Sequence, residues 1–390
     1  MSEAECICYH MGHGAMYCVT VYEDITKRFV KKRFLIDAGS NQDCSEQFAE
    51  ENINEIIDQL SKTIDEEWIF CLTHLHKDHY SAFETICDSV DNIEKKLDKF
   101  YIGSLTEREW RDITDDTLKD FDEYSEGKQV VQNILNKLGS KVIFYGNVTE
   151  PEKLWEDDDV TLYLLFNCMF NLNSLKDAKQ ALNSNCASFL VKHNKYKSAF
   201  WFTGDITGAT FDIILHHKET LEGMKAILSD CEEVVITPPH HGSIHSLEEM
   251  GFVQEDLEDS SEKWSPFNWK YFCIKIGLVR SESQPFCKLV WSTCLLDKYN
   301  HPDGVALAIY STVCEKAVNQ YKWAVYKTYD SEPDSLFSGN FGFEEDGEEE
   351  DLDDQRWYLQ NLPRVIRPTV EFANPPRIIW QAICYHFKEQ

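Results

Sequence analysis

A dense group of metal-type ligands directly after an apolar run constrains the fold most. The run at 68–73 predicts a short buried strand, and the segment that follows it contains His74, His76, Asp78 and His79. Alternate residues of an extended segment point the same way, so the first two histidines can bind one metal ion, while the turn after them directs the other two side chains to a second ion. The sequence therefore predicts a metal site at the end of a strand.

The elements around this segment predict an α/β protein. Strands at 7–9, 17–22 and 34–37 precede a helix at 43–63, which has its apolar residues on one face. Strand, helix, strand and a loop of polar ligands is typical of the α/β class. Later patterns predict strands at 141–145, 160–166, 187–193, 198–203, 233–237, 288–293 and 322–328, and helices at 208–228 and 304–319.

Three later strand ends also carry ligand-type residues. Asp205 follows the strand at 198–203, where Gly204 permits a tight backbone approach and the carboxylate could bridge two ions. His240 and His241 follow the strand at 233–237, and His301 comes after the strand at 288–293. A lone histidine in a loop is usually a structural residue, but four strand ends of this kind favour a single shared pocket.

These motifs resemble the metallo-β-lactamase superfamily. The resemblance rests on HxHxDH at 74–79, Leu-Ile-Asp-Ala-Gly at 35–39, Thr-Gly-Asp at 203–205 and His-His-Gly-Ser at 240–243. A Gly-x-Gly turn at 12–14, Asn-x-Asn at 183–185 and Tyr-x-His-Pro at 299–302 are similar to the hydrolase domain of the competence protein ComEC and its stand-alone relatives. The resemblance covers about residues 5–328 and implies an αββα sandwich, in which two mixed β-sheets are flanked by helices.

The resemblance also implies a set of metal ligands. His74 and His76 would hold one divalent ion, Asp78 and His79 would hold the other, and Asp205 would bridge them. The ions would be zinc or manganese, because imidazole and carboxylate ligands suit both.

Further residues would support the chemistry. Of the paired histidines, His241 is the better ligand because a glycine follows it, and His240 would touch the substrate. Asp37 would orient the histidine loop from behind the ligands. His301 would act as a proton donor or stabilise an oxyanion, so the expected catalytic residues are Asp78, His240 and His301.

The sequence departs from the family pattern in one ligand position. Most members have a further histidine between HxHxDH and the bridging aspartate, but here the only histidine between 80 and 204 is His193, which lies in a predicted strand and is expected to be structural. Water, Asn167 or Asn185 would then complete the first metal shell. In addition, Ala15 replaces an acidic residue after the glycine turn, and Asp297 replaces an asparagine before the Tyr-x-His-Pro motif.

The expected activity is hydrolysis by a metal-bridged hydroxide, with a phosphodiester as the first substrate class: a nucleotide, a short nucleic acid or a phospholipid-type ester. Hydrolysis of a carboxylic ester, lactone or thioester is the alternative. In a different class, the chain would be a metal-binding component of a larger protein assembly. By analogy with stand-alone relatives, a gated nuclease effector in a bacterial defence or toxin-like system is also conceivable.

Composition limits the partners and the compartment. Acids outnumber bases by 68 to 38, giving a net charge of −30, which disfavours an extended nucleic-acid duplex. The 14 cysteines are scattered through apolar segments and are expected to be reduced. The acidic first residues do not form a secretion signal, and no apolar run approaches the roughly 18 residues of a membrane span, so a cytoplasmic protein without membrane contact is expected.

The predicted layout is one hydrolase domain at 1–330, with a helical insertion at about 81–139 and a second insertion at about 247–286. Residues 331–355 contain the acidic run at 344–351 and are expected to form a linker. The aromatic tail at 356–390 is expected to dock on the domain or on a protein partner.

Overall fold

Two seven-stranded mixed β-sheets face each other in the computed structural model of the chain. The structure describes residues 2–9, 11, 14–24, 26–40, 46–65, 67–104, 122–167, 169, 182–247, 268–279, 287–291, 306, 309–310, 313, 325–327 and 382–386. In this part of the chain the strands are β1 Glu3–Tyr9, β2 Met16–Tyr22, β3 Val30–Ala38, β4 Trp68–Leu72, β5 Leu97–Ile102, β6 Val142–Phe144, β7 Glu152–Glu156, β8 Val160–Phe166, β9 Ser188–His193, β10 Ser198–Phe202, β11 Glu233–Thr237, β12 Cys287–Trp291, β13 Val325–Lys327 and β14 Ala382–His386.

Seven α-helices and three short 3₁₀ helices connect the strands in the described part of the chain. The α-helices are α1 Glu46–Lys62, α2 Lys77–Ser89, α3 Ile93–Lys96, α4 Asp122–Leu138, α5 Gly208–His216, α6 Lys218–Leu228 and α7 Trp269–Lys275. Short 3₁₀ helices are formed by Gly139–Lys141, Pro239–Gly242 and Ile244–Leu247.

Each sheet combines parallel and antiparallel pairs. The first sheet has the order β14-β1-β2-β3-β4-β5-β6 and is parallel from β3 to β6. The second sheet has the order β13-β12-β11-β10-β9-β8-β7 and is parallel from β13 to β10. The carboxyl ends of β3 and β4 therefore share one edge of the first sheet, and those of β10 and β11 share one edge of the second.

Three apolar layers hold the sheets and helices together. Phe34, Ile36, Ile69 and Cys71 lie in the cluster between the sheets, and the intervening Leu35, Phe70 and Leu72 lie in the cluster under α1, α2 and α4. A third cluster places Trp201 and Ile236 of the second sheet against side chains of α5, α6 and α7. Because both faces of the central strands are covered, these strands appear in the sequence as continuous apolar runs. The predicted αββα sandwich of two mixed sheets is confirmed.

Local differences from the sequence expectations have physical reasons. Within the range 81–139, predicted as mostly helical, Leu97–Ile102 forms a strand between β4 and β6, and its charged Asp98 and Lys99 hide the apolar pattern. The helix expected at 208–228 is interrupted at His217, whose side chain accepts a hydrogen bond from the Thr220 backbone N–H and so caps a new helix.

The tail contributes one described strand, since Ala382–His386 pairs antiparallel with β1. The acidic linker and most of the insertion at 247–286 lie outside the described residues. Among the described helices, none has the length and the apolar content needed to cross a membrane.

Candidate metal centre

The site lies where the parallel strand ends of the two sheets meet. The Ala187 backbone N–H donates to the Thr73 carbonyl across 2.9 Å, which joins the start of β9 to the end of β4. Gly103 allows this contact, because a Cβ there would lie 2.3 Å from the Ala187 Cβ and 2.6 Å from the Thr73 carbonyl oxygen. Segments that are distant in sequence therefore deliver their polar side chains to one place.

Two groups of ligand-type atoms form at this junction. One group consists of His74, His76 and Asp205, and the other of Asp78, His79, Asp205 and His241; within each group the ligand atoms lie within 4.8 Å of one another. Asp205 belongs to both groups. The structure therefore brings together the residues expected to form a dinuclear divalent-metal centre.

The two oxygens of Asp205 face different imidazoles. Oδ1 lies 3.1 Å from His79 Nε2 and 3.7 Å from His241 Nε2. Oδ2 lies 3.5 Å from His74 Nε2 and 3.7 Å from His240 Nε2. The carboxylate thus separates the two groups and has one oxygen available to each.

Backbone contacts hold the first turn of α2, which contains Asp78 and His79, in place. The Asp78 carbonyl accepts a hydrogen bond from the Ala15 N–H at 2.9 Å. Gly39 packs against the same turn so closely that a Cβ on it would lie 2.3 Å from the Asp78 carbonyl carbon. Position 15, where the resemblance implied an acidic residue, therefore contributes its backbone here, and Gly39, directly after β3, supports the histidine segment by direct contact.

The His-His-Gly segment has an unusual backbone. His240 and His241 have φ values of 49° and 52°, and Gly242 has 78°, so three successive residues are in the left-handed region. Non-glycine residues disfavour this region by about 1–2 kcal/mol each, a cost found mainly where function requires it. The conformation brings His241 Nε2 to 3.2 Å from Asp78 Oδ2, while the His240 side chain keeps 24% exposure.

Burial and neighbouring charges shift the pKa values of the site residues in different directions. Burial raises the pKa of Asp205, but the surrounding imidazoles, first His79, outweigh it and hold that pKa well below its usual range. Burial lowers the pKa of His79, but Asp205 and then Asp37 outweigh it and raise that pKa well above its usual range. Burial, together with a neighbouring imidazole, lowers the pKa values of His74 and His76. At neutral pH these last two rings are neutral and have a lone pair for a cation.

The donor atoms fit a pair of divalent ions. His74 Nε2 lies 3.0 Å from His76 Nδ1, and His79 Nε2 lies 3.1 Å from His241 Nε2. Nitrogen lone pairs at such distances repel each other unless a proton or a cation lies between them. His76 Nε2 is also buried and has no hydrogen-bond partner among the described residues. Imidazole and carboxylate are the ligands expected for zinc or manganese.

Other side chains considered for the first metal shell have different roles. Asn167 is engaged away from the site: its Oδ1 accepts from the Ser104 N–H at 2.8 Å, and its Nδ2 donates to the carbonyls of Tyr145 and Gly146. Both polar atoms of the Asn167 amide are therefore engaged by backbone groups. The His193 ring contacts the Ser2 carbonyl at 3.0 Å and stacks on Tyr196, as expected for a structural histidine. Asn185 is buried.

Some residues predicted for the site are not described by the structure, and one described residue of the site was not predicted. His301, Asp297 and the Tyr-x-His-Pro motif lie outside the described residues, as do Gly12 and His13. Sequence reasoning assigns no role to Thr73, although its hydroxyl contacts Asp37, His74 and His79. The available signal was the strand predicted at 68–73. Side chains two residues apart along a strand point to the same face, so Thr73 shares the face of Ile69 and Cys71, which lies between the sheets.

Among known proteins, the chain is similar only to solved structures, and this similarity is low. No family model matches the chain, and no curated protein matches it. A diphosphatase of the PhnP family has 12% identity and a TM-score of 0.30, over 62% of this chain and 77% of that one. MEM-A1, a subclass B3 metallo-β-lactamase from a soil metagenome library, has 11% identity and a TM-score of 0.31, over 61% and 78%. The DIM-1 metallo-β-lactamase has 13% identity and a TM-score of 0.28, over 57% and 78%. Likeness this low indicates no substrate.

Proposed function

We propose that this chain is a metal-dependent hydrolase of the metallo-β-lactamase superfamily that cleaves phosphodiesters. The observation that carries the proposal is the position of Asp205, whose Oδ1 faces His79 and whose Oδ2 faces His74. A carboxylate with one oxygen directed to each of two imidazole groups is suited to bridge two ions.

The ligands follow from the two groups. His74 and His76 would hold the first ion, Asp78, His79 and His241 the second, and Asp205 both. Two divalent ions, when bound, would supply an activated water nucleophile and positive charge for the attacked and leaving oxygens. Zinc and manganese both suit these donors, and water would complete the first shell.

His240 would contact the substrate. Its Nε2 approaches the Asp205 oxygen that faces His74, yet it belongs to neither of the two ligand groups formed by the described residues. Burial, against the opposing effect of Asp205, lowers the pKa of His240 to about 4. The ring is therefore neutral at neutral pH, and its N–H would donate a hydrogen bond to a substrate oxygen. His301 is proposed as a second donor from its position in the Tyr-x-His-Pro motif.

A phosphodiester fits the chemistry and the charge. Displacement at phosphorus places attacking and leaving oxygens on opposite sides, where two cations can stabilise both. The net charge of −30 repels an extended polyanion, so a nucleotide, a short single strand or a phospholipid-type ester is the proposed substrate class. Involvement in a bacterial defence system rests on analogy with stand-alone relatives.

Two variants test the assignment together. In Asp205→Ala the bridging anion is lost, so both zinc content and turnover should collapse. In His240→Asn zinc content should stay at the wild-type value while kcat falls by about 10²–10³, the cost of losing one donor to a developing charge. Asparagine is chosen because it tolerates the left-handed backbone at this position. Metal content is measured by elemental analysis and turnover with bis-p-nitrophenyl phosphate.

The control is His216→Asn, because that histidine is exposed and belongs to neither ligand group. Wild-type zinc content in Asp205→Ala would refute the bridging role, and wild-type turnover in His240→Asn would refute substrate contact. The substrate class is tested separately. Turnover of p-nitrophenyl acetate or a lactone, without turnover of the phosphodiester, would replace the phosphodiesterase proposal by the ester hydrolase.

A further inference from the structure

The buried carboxylate of Asp37 contacts His79 directly and is connected to His74 through the Thr73 hydroxyl. Asp37 Oδ1 accepts from the Thr73 backbone N–H at 2.8 Å, and Oδ2 accepts from the Thr73 hydroxyl at 2.9 Å. The same Oδ2 lies 2.8 Å from His79 Nδ1. Asp37, Thr73 and His79 are all almost completely buried. Water therefore does not compete for these contacts, and their hydrogen-bond directions can be assigned from donor and acceptor chemistry.

The direction of the first contact is fixed by the carboxylate. An ionised carboxylate only accepts hydrogen bonds, so the proton in the contact with Asp37 belongs to His79 Nδ1. The remaining nitrogen, Nε2, faces Asp205 Oδ1 at 3.1 Å, and it is the atom that would bind an ion taking the place of its proton. Asp37 thus prepares His79 for a cation by direct contact.

The direction of the second contact follows from the single hydroxyl proton of Thr73. Hydrogen bonds to a charged acceptor are about twice as strong as neutral ones, so the hydroxyl donates to Asp37. Its oxygen then faces His74 Nδ1 at 3.1 Å as an acceptor, and the proton in that contact belongs to His74. On the other side of the ring, His74 Nε2 lies 3.0 Å from His76 Nδ1 and 3.5 Å from Asp205 Oδ2. Because His76 Nε2 is buried without a hydrogen-bond partner among the described residues, the proton of the neutral His76 ring is on Nδ1, and it donates to an unprotonated His74 Nε2.

Another acceptor near His74 Nδ1 is weaker. The Cys186 thiol lies 3.6 Å away, and burial holds the pKa of this thiol well above its usual range. A protonated thiol is a poor acceptor compared with a hydroxyl. Cys186 also faces Nδ1, the nitrogen opposite to Asp205, so it lies on the wrong side of the ring to serve as a metal ligand.

We infer that Thr73 is a positioning residue that extends the control of Asp37 from His79 to His74, so that one carboxylate fixes the tautomers of imidazoles in both metal groups. This inference rests on the proposed function, since the tautomers matter because their Nε2 atoms would bind the ions. The arrangement gives the two groups a common support behind Asp205, although their ligands come from different strand ends.

The test compares Thr73→Val with Thr73→Ser. Valine keeps the shape and the backbone N–H but removes the hydroxyl, whereas serine keeps the hydroxyl. Loss of a partner behind a metal ligand typically costs 10–100-fold in affinity. Zinc affinity, measured by chelator competition, should therefore fall by about that factor for one of the two ions in the valine variant and by less than about threefold in the serine variant. Two ions bound with wild-type affinity in Thr73→Val would overturn the inference.

A spectroscopic measurement on the wild-type protein keeps the inference testable if the valine variant does not fold. Histidine ¹⁵N NMR of the metal-free protein, assigned by the signal lost in His74→Asn, should show His74 protonated at Nδ1 and bare at Nε2. The opposite tautomer would overturn the inference. A wild-type protein that binds no zinc would refute the proposed function alone, because the tautomer of His74 is read without metal.

Discussion

At the scale of single residues, the site depends on close approach as much as on ligand identity. Gly204 has a φ of +58°, and a Cβ there would lie 2.3 Å from the Cys186 thiol and 2.9 Å from the Thr73 Cβ. Its carbonyl also accepts from the His240 N–H at 3.0 Å. Gly204 therefore holds three segments together next to Asp205, and no larger side chain fits between them.

Gly204→Ala should destabilise the protein by about 1–3 kcal/mol, because the methyl group must displace a buried thiol and the backbone must stay left-handed. Zinc affinity should fall with it, since Thr73 and Asp205 would be pushed apart. Urea unfolding and chelator competition measure the two effects. Gly146→Ala is the matched control, because a Cβ at that position meets no atom within 4 Å. Equal stability of the two variants would contradict the packing argument.

At the scale of elements, α2 joins the core to the site. Its first turn contains Asp78 and His79, and one turn later Phe83 packs against Phe70 at 5.4 Å and Phe100 at 4.8 Å between ring centroids. The positions of Asp78 and His79 therefore depend on apolar contacts with β4 and β5. For this reason β5, whose charged residues obscure it in the sequence, matters for the candidate metal centre.

Phe83→Ala should lower the free energy of unfolding by about 3–5 kcal/mol, the usual cost of emptying a buried aromatic site. Phe29→Ala should change it by less than about 0.5 kcal/mol, because Phe29 is 63% exposed. Both values come from chemical denaturation of metal-free protein. A small effect at Phe83 would mean that α2 is held by its contacts with Ala15 and Gly39 and not by the core.

At the scale of the whole molecule, the start of the chain is bound to the second sheet. His193, at the end of β9, contacts the Ser2 carbonyl, and the Ser2 N–H donates to Asp159 at 2.7 Å. Ser2 directly precedes β1, and its partners belong to the second sheet: His193 ends β9, and Asp159 lies between β7 and β8. These contacts therefore join the first sheet to the second. Burial lowers the pKa of His193, partly offset by the Ser2 carbonyl and then Asp159.

This pKa shift predicts a pH dependence of stability. In the unfolded chain a histidine has a pKa of about 6.5. Folded His193 stays neutral to lower pH, so the unfolded state binds more protons in that interval. Its contribution is therefore present above about pH 6.5 and is lost as the pH falls toward the folded pKa.

His193→Gln, which cannot titrate, should show a shallower loss of stability between about pH 7 and about pH 5 than the wild-type protein. Urea unfolding at several pH values measures the slope, and subtracting the two proteins cancels the histidines that both retain. His216→Gln, the same substitution at an exposed histidine, is the control for the substitution itself. Parallel slopes in wild type and His193→Gln would contradict the assignment.

The sequence by itself determined the features that are local. His74, His76, Asp78 and His79 lie within six residues after an apolar strand, so their spacing alone places them close together at the end of that strand. The order of apolar and amphipathic segments likewise predicted an α/β protein, and the resemblance of the motifs to the metallo-β-lactamase superfamily implied the αββα sandwich. Hydrophobic patterning and dense ligand spacing are short-range properties, which is why they can be inferred without coordinates.

Only the tertiary structure decided how distant segments share the site. Asn167 looked like a possible ligand in the sequence, but it binds the backbone of two neighbouring loops. The strand predicted at 68–73 could indicate the face on which Thr73 lies, but not that its hydroxyl contacts Asp37 and two histidines. Such roles depend on hydrogen-bond directions and distances between side chains brought together by strand pairing and sheet packing, and the order of residues in the chain does not specify them.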